Sequence, residues 1–408
     1  MESLRDKLEL LGVQIGAKNI RPRPVSHKKI PVEELMDGYE HSSINGNTYI
    51  AMQTCPRDYR HGKINIFREW NKEKISLWSG HREFSNLANE KIAFLDTETS
   101  GLSSGAGTVV FMVGVGYFTE GEFTVSQLFL RSPAQETAFL EAFLEVIDPF
   151  SAVVTYNGKS FDIPMLNSRL NFHKMPSPFK SIIHLDFLHL ARKIWKYRLP
   201  QRRLADLEHE IMVFERTEKE VPGWMVPQIY YDYLLSRDAR PLDGVFYHNF
   251  ADITSLAALL THMSVLLEID QVSADIDVLE LVAIARIYEE LGLTKESERQ
   301  FKKCLAQNMP AADYLNTLLF YANMLKRKGD LPSATELWDK AAEVGSIDAC
   351  VELAKYFEHK VKNQEAAEKW TRRGMILTNT HSRKEKRDMY SLQLNHRLDR
   401  ILRKTKQN

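Results

Sequence analysis

Hydrophobic positions between residues 91 and 267 alternate between strand-like runs and helical spacing. The segments 92–95, 109–118 and 123–130 predict three successive strands, and we expect the first to be central in its sheet. The spacing of apolar residues at 137–147 predicts a helix. The same reasoning predicts a strand at 152–156, a helix from a Ser160 N-cap to about residue 170, a strand at 182–185 and a long helix at 245–267.

The pattern differs on either side of this region. Residues 1–90 begin with an amphipathic helix, and Ile44-Asn45-Gly46-Asn47 predicts a tight hairpin turn, but we assign this region no role. Beyond residue 275, helical segments recur at intervals of 37 and about 32 residues, which is typical of tetratricopeptide-like repeats. A plain helical packing domain and a surface that binds a peptide or protein are equally compatible with this pattern. We therefore expect boundaries at 1–90, 91–270 and 275–408.

The composition of the chain argues against a disulfide-rich protein and a membrane protein. The 408 residues carry 54 basic and 54 acidic side chains, so the formal net charge is zero. Residues 91–274 have 16 basic and 22 acidic side chains, whereas residues 275–408 have 24 and 20. The three cysteines lack paired spacing, which suggests neither a disulfide framework nor a zinc site. No stretch approaches the ~20 apolar residues of a membrane span, so we expect a cytoplasmic protein without membrane contact.

The first group of candidate functional residues is a pair of acids at the end of the first predicted strand. Asp96 and Glu98 are two positions apart, so their side chains project from the same face of that strand. Two carboxylates held together repel each other unless a cation joins them. A second Asp-x-Glu sequence, Asp206-Leu207-Glu208, falls in a predicted helix, where we interpret it as solvated surface.

Two further acids lie at helix beginnings. Asp162 follows the strand at 152–156 and a turn, and its ordinary explanation is stabilisation of a helix N-terminus. Beside the first strand, the same carboxylate could reach Asp96. Asp252 and His248 are four residues apart on the predicted long helix, which places them on one face. A surface ion pair would explain them, and so would a histidine that accepts a proton beside a metal-bound water.

These residues resemble the three-motif, four-carboxylate signature of the DEDD exonucleases, which have a ribonuclease-H-like fold. The closer resemblance is to the bacterial YprB-type branch, the mitomycin repair factor B proteins. It covers roughly residues 90–265, and its motifs are Phe-Leu-Asp-Thr-Glu-Thr-Ser-Gly-Leu at 94–102, Thr-Tyr-Asn-Gly-Lys-Ser-Phe-Asp at 155–162 and Leu-Ala-Arg-Lys-Ile-Trp-Lys at 190–196. The resemblance implies an α/β fold, with a ribonuclease-H-like mixed sheet flanked by helices and an all-α tetratricopeptide-like domain after it.

The resemblance also implies the chemistry. Two Mg²⁺ or Mn²⁺ ions would be held by Asp96, Glu98, Asp162 and Asp252, and hard oxygen ligands suit both metals. Such a pair activates water and stabilises the leaving oxygen in phosphodiester hydrolysis. DEDD enzymes usually place a tyrosine four residues, or a histidine five residues, before the last aspartate. This chain reverses them, so we expect His248 to be the proton acceptor, with Tyr247 as the alternative.

A basic segment offers candidate contacts for the substrate. Six basic residues fall between positions 192 and 203, interleaved with Trp195 and Tyr197, and could neutralise phosphates while the aromatics stack on bases. A solvated helix face with Trp195 in the core is equally compatible. Asn157 could position a ligand or simply form its turn. The candidate substrate-binding residues are Asn157, Arg192, Lys193 and Lys196.

The resulting expectation is a two-metal 3′-5′ exonuclease that acts on DNA in repair, with a helicase as partner of the helical repeats. The repair role and the helicase follow from the resemblance alone. One alternative is an RNA-processing nuclease of the same chemistry, because no residue pattern reads the 2′-hydroxyl. The other is an inactive nuclease domain whose repeats recruit proteins. Retention of all four acids argues against the inactive scaffold.

Overall fold

The computed structural model describes residues 29–101, 107–268, 276–379 and 384–407, so the predicted helix near the N-terminus lies outside the described residues. Within these ranges, the strands all lie between residues 38 and 186. In the described residues they are β1 (Gly38–Ser43), β2 (Gly46–Pro56), β3 (Arg60–His61), β4 (Ile64–Asn65), β5 (Ile92–Thr99), β6 (Val110–Phe118), β7 (Glu122–Phe129), β8 (Ala152–Thr155) and β9 (Ile183–Asp186).

Seven of these strands form one mixed sheet in the order β1-β2-β7-β6-β5-β8-β9. β5 pairs antiparallel with β6 and parallel with β8, and β8 pairs parallel with β9. The prediction that the strand at 92–95 is central is therefore confirmed. The change from antiparallel to parallel pairing occurs at β5, where the carboxyl ends of β5, β8 and β9 point to the same edge of the sheet.

The N-terminal region contributes to this sheet. β1 and β2 form an antiparallel hairpin in which Ser43 pairs with Gly46, so the predicted turn is confirmed. Gly46 has a φ of 124°, which favours glycine because other residues are strained there. β2 continues the sheet beyond β7, from Tyr49 opposite Phe129 to Pro56 opposite Glu122. The sheet is therefore wider than the five strands that the pattern from residue 91 onward predicts.

Helices cover both faces of the sheet. Ser160 does not cap the helix after β8, because that helix begins at Asp162 with Phe161 as its N-cap. The α-helices described as far as residue 268 are α1 (Val32–Leu35), α2 (Glu73–Ser79), α3 (Glu136–Ile147), α4 (Asp162–Phe172), α5 (Phe187–Ile194), α6 (Leu204–Leu207), α7 (Val226–Ser236) and α8 (Asp243–Leu266).

Two hydrophobic cores lie on opposite faces of β5. Ile92 and Phe94 belong to the core that includes the carboxyl half of α8, whereas Ala93 and Leu95 belong to the core that includes α3 and α4. Strand alternation accounts for this division. Continuing it along β5 places Asp96 and Glu98 on the α8 side of the sheet.

The described chain from residue 276 onward is helical. The helices α9 and α10, α11 and α12, and α13 and α14 pack against each other in sequence order. Gly292 and Gly329, at positive φ, form the turns within the first two pairs. The helices are α9 (Val278–Glu290), α10 (Thr294–Leu305), α11 (Ala311–Lys328), α12 (Leu331–Glu343), α13 (Ile347–Tyr356), α14 (Gln364–Asn379) and α15 (Lys384–Gln407).

The helical region docks on α5 and the residues that follow it. The indole of Trp195 is buried and donates to Glu280 at 2.7 Å, and Arg198 also pairs with Glu280. Lys193 pairs with Glu290 at the end of α9. Ile284, Ile287 and Tyr288 of α9 share a hydrophobic core with Trp195. Of the two interpretations of Trp195, the structure therefore supports the core residue.

The basic end of the chain contains a buried acid. Glu358, in a π-helical turn after α13, accepts hydrogen bonds from Arg397, Arg400 and Lys404 at 2.7–2.9 Å. These three cations belong to the eleven basic residues after position 370. Part of the positive charge that the sequence places here is therefore neutralised within the fold.

Across the described ranges, no helix is long and apolar enough to cross a membrane.

Candidate active site

Asp96 and Glu98 lie at the carboxyl end of β5, as their spacing predicts. Asp96 pairs with Gly114 of β6, and the ladder shifts register between Glu98 and Thr99. The side chain of Glu98 is only 12% exposed. Burial of two like charges at one strand end is costly without a counter-charge. This end of β5 is therefore a place where a cation would stabilise the ionised carboxylates.

A chain of buried amides holds Asp96. Asn249 of α8 donates from Nδ2 to Asp96 Oδ2 at 2.9 Å, and its Oδ1 accepts from Gln127 at 2.9 Å. Gln127 in turn accepts from Gln53 of β2 at 2.7 Å. A Cβ at Gly114 would lie 2.2 Å from Asn249 Oδ1, so glycine is required for this close approach. Asn249 stands within the His-Asn-x-x-Asp motif, yet sequence reasoning gave it no role.

Asp162 reaches the same place from α4, on the other side of the sheet. It is buried, and its Oδ1 accepts a hydrogen bond from Thr97 at 2.6 Å. The preceding turn is held by Asp186, which accepts from the backbone N–H groups of Asn157 at 2.9 Å and Lys159 at 3.0 Å. Asp186 is thus a structural support of this turn.

α8 brings His248 to the acids. His248 Nε2 lies 3.6 Å from Asp252 Oδ2 and 3.9 Å from Glu98 Oε1, so the predicted common face of the helix is present. Tyr247 points elsewhere, and its hydroxyl accepts from the backbone N–H of Thr217 at 2.8 Å. Of the two proton-acceptor candidates, only His248 therefore contacts the carboxylates of the site in this arrangement.

The residues from 213 to 225, here called the Arg216 segment, pass over α8 and supply a cation that sequence reasoning missed. Arg216 forms a two-pronged ion pair with Glu208 at 2.7 and 2.8 Å and also pairs with Asp252. Its third partner is Glu220, at 3.0 Å. The interpretation of Glu208 as solvated surface is wrong, because its carboxylate is buried in this network. No periodic pattern marks residues 213–225, so nothing local indicated Arg216.

The N-terminal region supports the root of the Arg216 segment. His61 is buried, stacks on Phe214 with ring centroids 3.7 Å apart, and shares a 2.7 Å hydrogen bond with Ser255. Burial lowers its pKa to about 3, and the charge of Arg216 acts in the same direction, so His61 is neutral. Ser255 also donates to Glu208 at 2.6 Å. The hairpin of β3 and β4 therefore takes part in building the site.

Crowding of acids changes their pKa values. Burial is the main cause, and it raises the pKa of Asp96 well above its usual range, with the charges of Asp252, Asp162 and Glu98 adding to the rise. Burial likewise raises the pKa of Glu98 to about 8 and that of Asp162 to about 6. The fold therefore does not supply enough positive charge to keep these carboxyl groups at their usual pKa values.

The pKa of His248 is also raised, but for a histidine this favours the charged form. Burial alone would lower its pKa, but the hydrogen bond to Glu220 and the charges of Asp252 and Glu98 raise it to about 9. The distance from His248 Nδ1 to Glu220 Oε1 is 2.6 Å. Glu220 therefore holds one ring nitrogen, and Nε2 is left facing the acids.

The donor set suits a hard divalent ion, since all four candidate ligands are carboxylates. As arranged, the side chains are not closed around an ion: within the described ranges, no three His, Cys, Asp or Glu side chains form a group that could hold one. The residues fit a metal by their chemistry, and binding requires that side chains at this strand end turn toward the ion.

The candidate substrate-binding residues divide into two groups. Asn157 and Arg192 line one cavity beside the turn that leads to Asp162. Lys193 instead pairs with Glu290 of the helical region, and the ammonium of Lys196 lies 5.4 Å from the ring centre of Tyr197. The basic segment therefore faces two different parts of the molecule.

This fold and this constellation of acids define the class of protein. A family model described as RNase_H superfamily matches residues 93–264, the part of the chain that runs from β5 through α8. The chain therefore contains an RNase H superfamily domain, and the ribonuclease-H-like mixed sheet with a helical region after it is confirmed.

A curated relative places the chain more narrowly. The protein named "Uncharacterized protein YprB" of Bacillus subtilis (strain 168) is 31% identical over 317 residues, which cover 75% of this chain and 75% of the relative. The chain belongs to the YprB family. Among solved structures, the family B DNA polymerase from the hyperthermophilic archaeon Pyrobaculum calidifontis matches 53% of this chain and 28% of its own, at 15% identity and a TM-score of 0.34. That likeness is too weak to carry an argument.

Proposed function

We propose that the chain is a divalent-metal-dependent 3′-5′ exonuclease of DEDD type that hydrolyses phosphodiester bonds in DNA. One observation carries this proposal: Asp96, Glu98, Asp162 and Asp252 meet at the carboxyl end of the central strand, where burial and neighbouring acids raise the pKa values of Asp96 and Glu98. Structural acids are normally paired within the fold. Such a group of acids at one strand end of a ribonuclease-H-like sheet supports a role in binding cations for phosphodiester hydrolysis.

The chain's own groups supply positioning and a proton acceptor. Asn249 orients Asp96, and Thr97 orients Asp162. The Nδ1–H group of His248 donates to Glu220, which leaves Nε2 toward the acids as the atom that takes a proton from water. Two divalent ions held by the four carboxylates would lower the pKa of that water and stabilise the leaving oxygen. Their positive charge also favours neutral His248, which a proton acceptor must be at neutral pH.

The test is cleavage of end-labelled DNA and RNA, single- and double-stranded, in the presence of Mg²⁺, Mn²⁺ or chelator. We expect cleavage of DNA from the 3′ end that needs metal and falls about 100-fold or more in Asp162→Asn. Preference for RNA substrates would favour the RNA-processing alternative. Absence of metal-dependent cleavage with every substrate would favour the inactive scaffold and reject the enzyme.

His248→Ala and Tyr247→Phe distinguish the two proton-acceptor candidates. We expect a loss of about 10²–10⁴-fold in kcat for the histidine variant, the range typical of general-base catalysis. Tyr247→Phe removes only a hydrogen bond from Thr217 and should change kcat little. A large loss confined to the tyrosine variant would overturn the assignment of His248.

The repair role and the helicase partner extend this proposal to the helical region. They rest on the resemblance to the mitomycin repair factor B branch, whereas the tetratricopeptide-like character of the repeats rests on the recurrence of helical segments at intervals of 37 and about 32 residues. Pairwise packing of α9–α14 in sequence order supports a repeat architecture. Co-purification of a helicase with the full chain, lost when residues 311–408 are deleted, would test this part.

A further inference from the structure

A cavity of about 490 Å³ lies beside the candidate active site, next to the turn between β8 and α4. Its lining includes Tyr156, Asn157, Arg192, Gln201, Arg202 and Arg203, and here it is called the Arg192 cavity. Asn157 begins the short turn that ends at Asp162. The backbone C=O groups of Asn157 and Gly158 accept hydrogen bonds from Phe161 and Ile163, so this turn is fixed relative to α4. The same turn thus carries Asn157 at the cavity and Asp162 at the acid site, and it is held rigidly.

Asp186 fixes Arg192 relative to the same turn. Its buried carboxylate accepts from the backbone N–H groups of Asn157, Lys159 and Leu188 at 2.9–3.0 Å, which ties the turn to the start of α5. Arg192 is four residues after Leu188, and both side chains line the cavity. A group bound by Arg192 therefore has a defined position relative to Asp162.

The charge in this cavity is positive and largely unneutralised. Arg192 is exposed and has no hydrogen bond or ion pair within the described part of the chain. The guanidinium of Arg202 donates to the backbone carbonyls of Leu199 and Pro200, which leaves its charge uncompensated. Among the described residues, Arg203 is the one of these three arginines that pairs with a carboxylate, that of Asp206. No acidic residue of the described ranges lines the cavity.

A second cavity provides a contrast within the same region. It has about 540 Å³ and contains Arg57 and Arg68, but Glu90 and Glu120 also line it. Two arginines are thus balanced by two acids there. The excess of guanidinium over carboxylate is therefore a property of the Arg192 cavity and not of arginine-lined cavities in general.

We infer that the Arg192 cavity binds a backbone phosphate of the nucleic-acid strand whose scissile bond reaches the acid site. Guanidinium groups match phosphate oxygens in geometry as well as charge. The inference rests on the proposed nuclease function and adds which residues hold the strand: Asn157, Arg192 and Arg202. It separates Arg192 from Lys193, whose charge is paired with Glu290 in the contact with the helical region.

The test is the affinity of the full chain for a fluorescein-labelled single-stranded oligodeoxynucleotide, measured by anisotropy in chelator over a series of salt concentrations. We expect Arg192→Ala to weaken binding about 5- to 10-fold and to reduce the slope of log K against log[salt] by about 1. Arg192→Glu should weaken it further. Arg68→Ala, the matched control, should change affinity less than about 2-fold, because Glu90 and Glu120 offset Arg68.

Three outcomes would overturn the inference. One is equal affinity of Arg192→Ala and Arg68→Ala for the strand. Another is an equal loss in Lys193→Ala, because general attraction by α5 would then explain the binding. The third comes from calorimetry with inorganic phosphate: if Arg192→Ala abolishes phosphate binding yet leaves strand binding unchanged, the cavity serves a small free anion.

The cleavage assay separates this inference from the proposed function. A chain that binds the strand through Arg192 but never cleaves it with Mg²⁺ or Mn²⁺ rejects the nuclease and retains the binding site. If the chain cleaves, we expect Arg192→Ala to raise KM with little change in kcat, as for lost binding that is equal in ground and transition states. Cleavage with an unchanged KM in Arg192→Ala retains the nuclease and rejects the cavity.

Discussion

The acid site and the surroundings of Glu358 treat buried carboxylates in opposite ways. At the end of β5, Arg216 pairs with Asp252 and His248 lies near Asp252 and Glu98, and the pKa values of Asp96, Glu98 and Asp162 are raised. Around Glu358, three cations surround one acid. Burial alone would raise its pKa, but hydrogen bonds from Arg400 and Lys404 lower it to about 2.

The difference separates structural charge from functional charge. Glu358 has its counter-charges within the chain, so this cluster stabilises the packing of α15 on the turn after α13. At the acid site the pKa values of three carboxyl groups are raised, so an external cation would stabilise their ionised forms. Substitutions of matched type should therefore have opposite effects on stability in the two regions.

Replacement of Asp96 should have the largest effect on activity. Asp96→Asn keeps the hydrogen bond from Asn249 and removes one charge, so we expect metal-dependent cleavage to fall about 10³-fold or more. The melting temperature in chelator should rise, because repulsion among the acids is relieved. Mn²⁺ should raise the melting temperature of the native chain, and Asp96→Asn should abolish this rise. Asp232→Asn, an exposed aspartate on α7, is the control. A lower melting temperature for Asp96→Asn in chelator would contradict the comparison.

Replacement of Glu358 should have the largest effect on stability. Glu358→Ala leaves Arg397 buried without a partner, and we expect a loss of about 3–5 kcal/mol in the free energy of unfolding. The control is Glu352→Ala, whose partners Lys326 and Lys355 are exposed, with an expected loss of about 0–1 kcal/mol. Chemical denaturation followed by circular dichroism measures both. Equal losses would mean that the cluster is not a structural centre.

Arg216 is the internal cation of the acid site, and its removal tests how the two regions differ. Arg216→Ala leaves Asp252 and Glu220 without the guanidinium that positions them, so we expect a loss of about 10- to 100-fold in activity or Mn²⁺ affinity, the range for residues that orient metal ligands. Arg216→Lys keeps the charge without the planar fork and should recover only part. Calorimetric titration with Mn²⁺ measures affinity independently of turnover. Arg240→Ala, which breaks an exposed pair with Asp238, should have no such effect.

Lowering the pH should have the smallest of these effects, and it should act on the stability of the helical region. The folded-state pKa of Glu358 is about 2 against an ordinary value of 4.5, so its stabilising contribution is present above pH 4.5 and is lost as pH falls toward 2. We expect the melting temperature of native chain to fall more steeply than that of Glu358→Gln across this window. Parallel curves for the two chains would show that Glu358 is not linked to acid unfolding.

The core strands and the four acids could be predicted from the sequence because each depends on a local pattern. Apolar runs marked β5–β9, and the position of each acid at a strand or helix end followed from those runs. Arg216 could not be found in this way, since it contacts Asp252 across 36 residues of chain. Pairing of β2 with β7 was also invisible, because a strand's partner depends on long-range register. Glu208 was assigned to the solvated surface because the sequence pattern does not show its contact with Arg216.

The contacts of α5, and of Trp195 directly after it, predict how related sequences should vary. These contacts are divided residue by residue: Arg192 lines a cavity beside the acid site, whereas Lys193 and Trp195 contact α9. Substitutions at position 195 should be accompanied by substitutions at position 280, since the indole N–H and that carboxylate satisfy each other. Position 192 should instead vary with positions 157 and 202. Positions 192 and 195, which are close together in the chain, would thus follow two separate patterns of covariation.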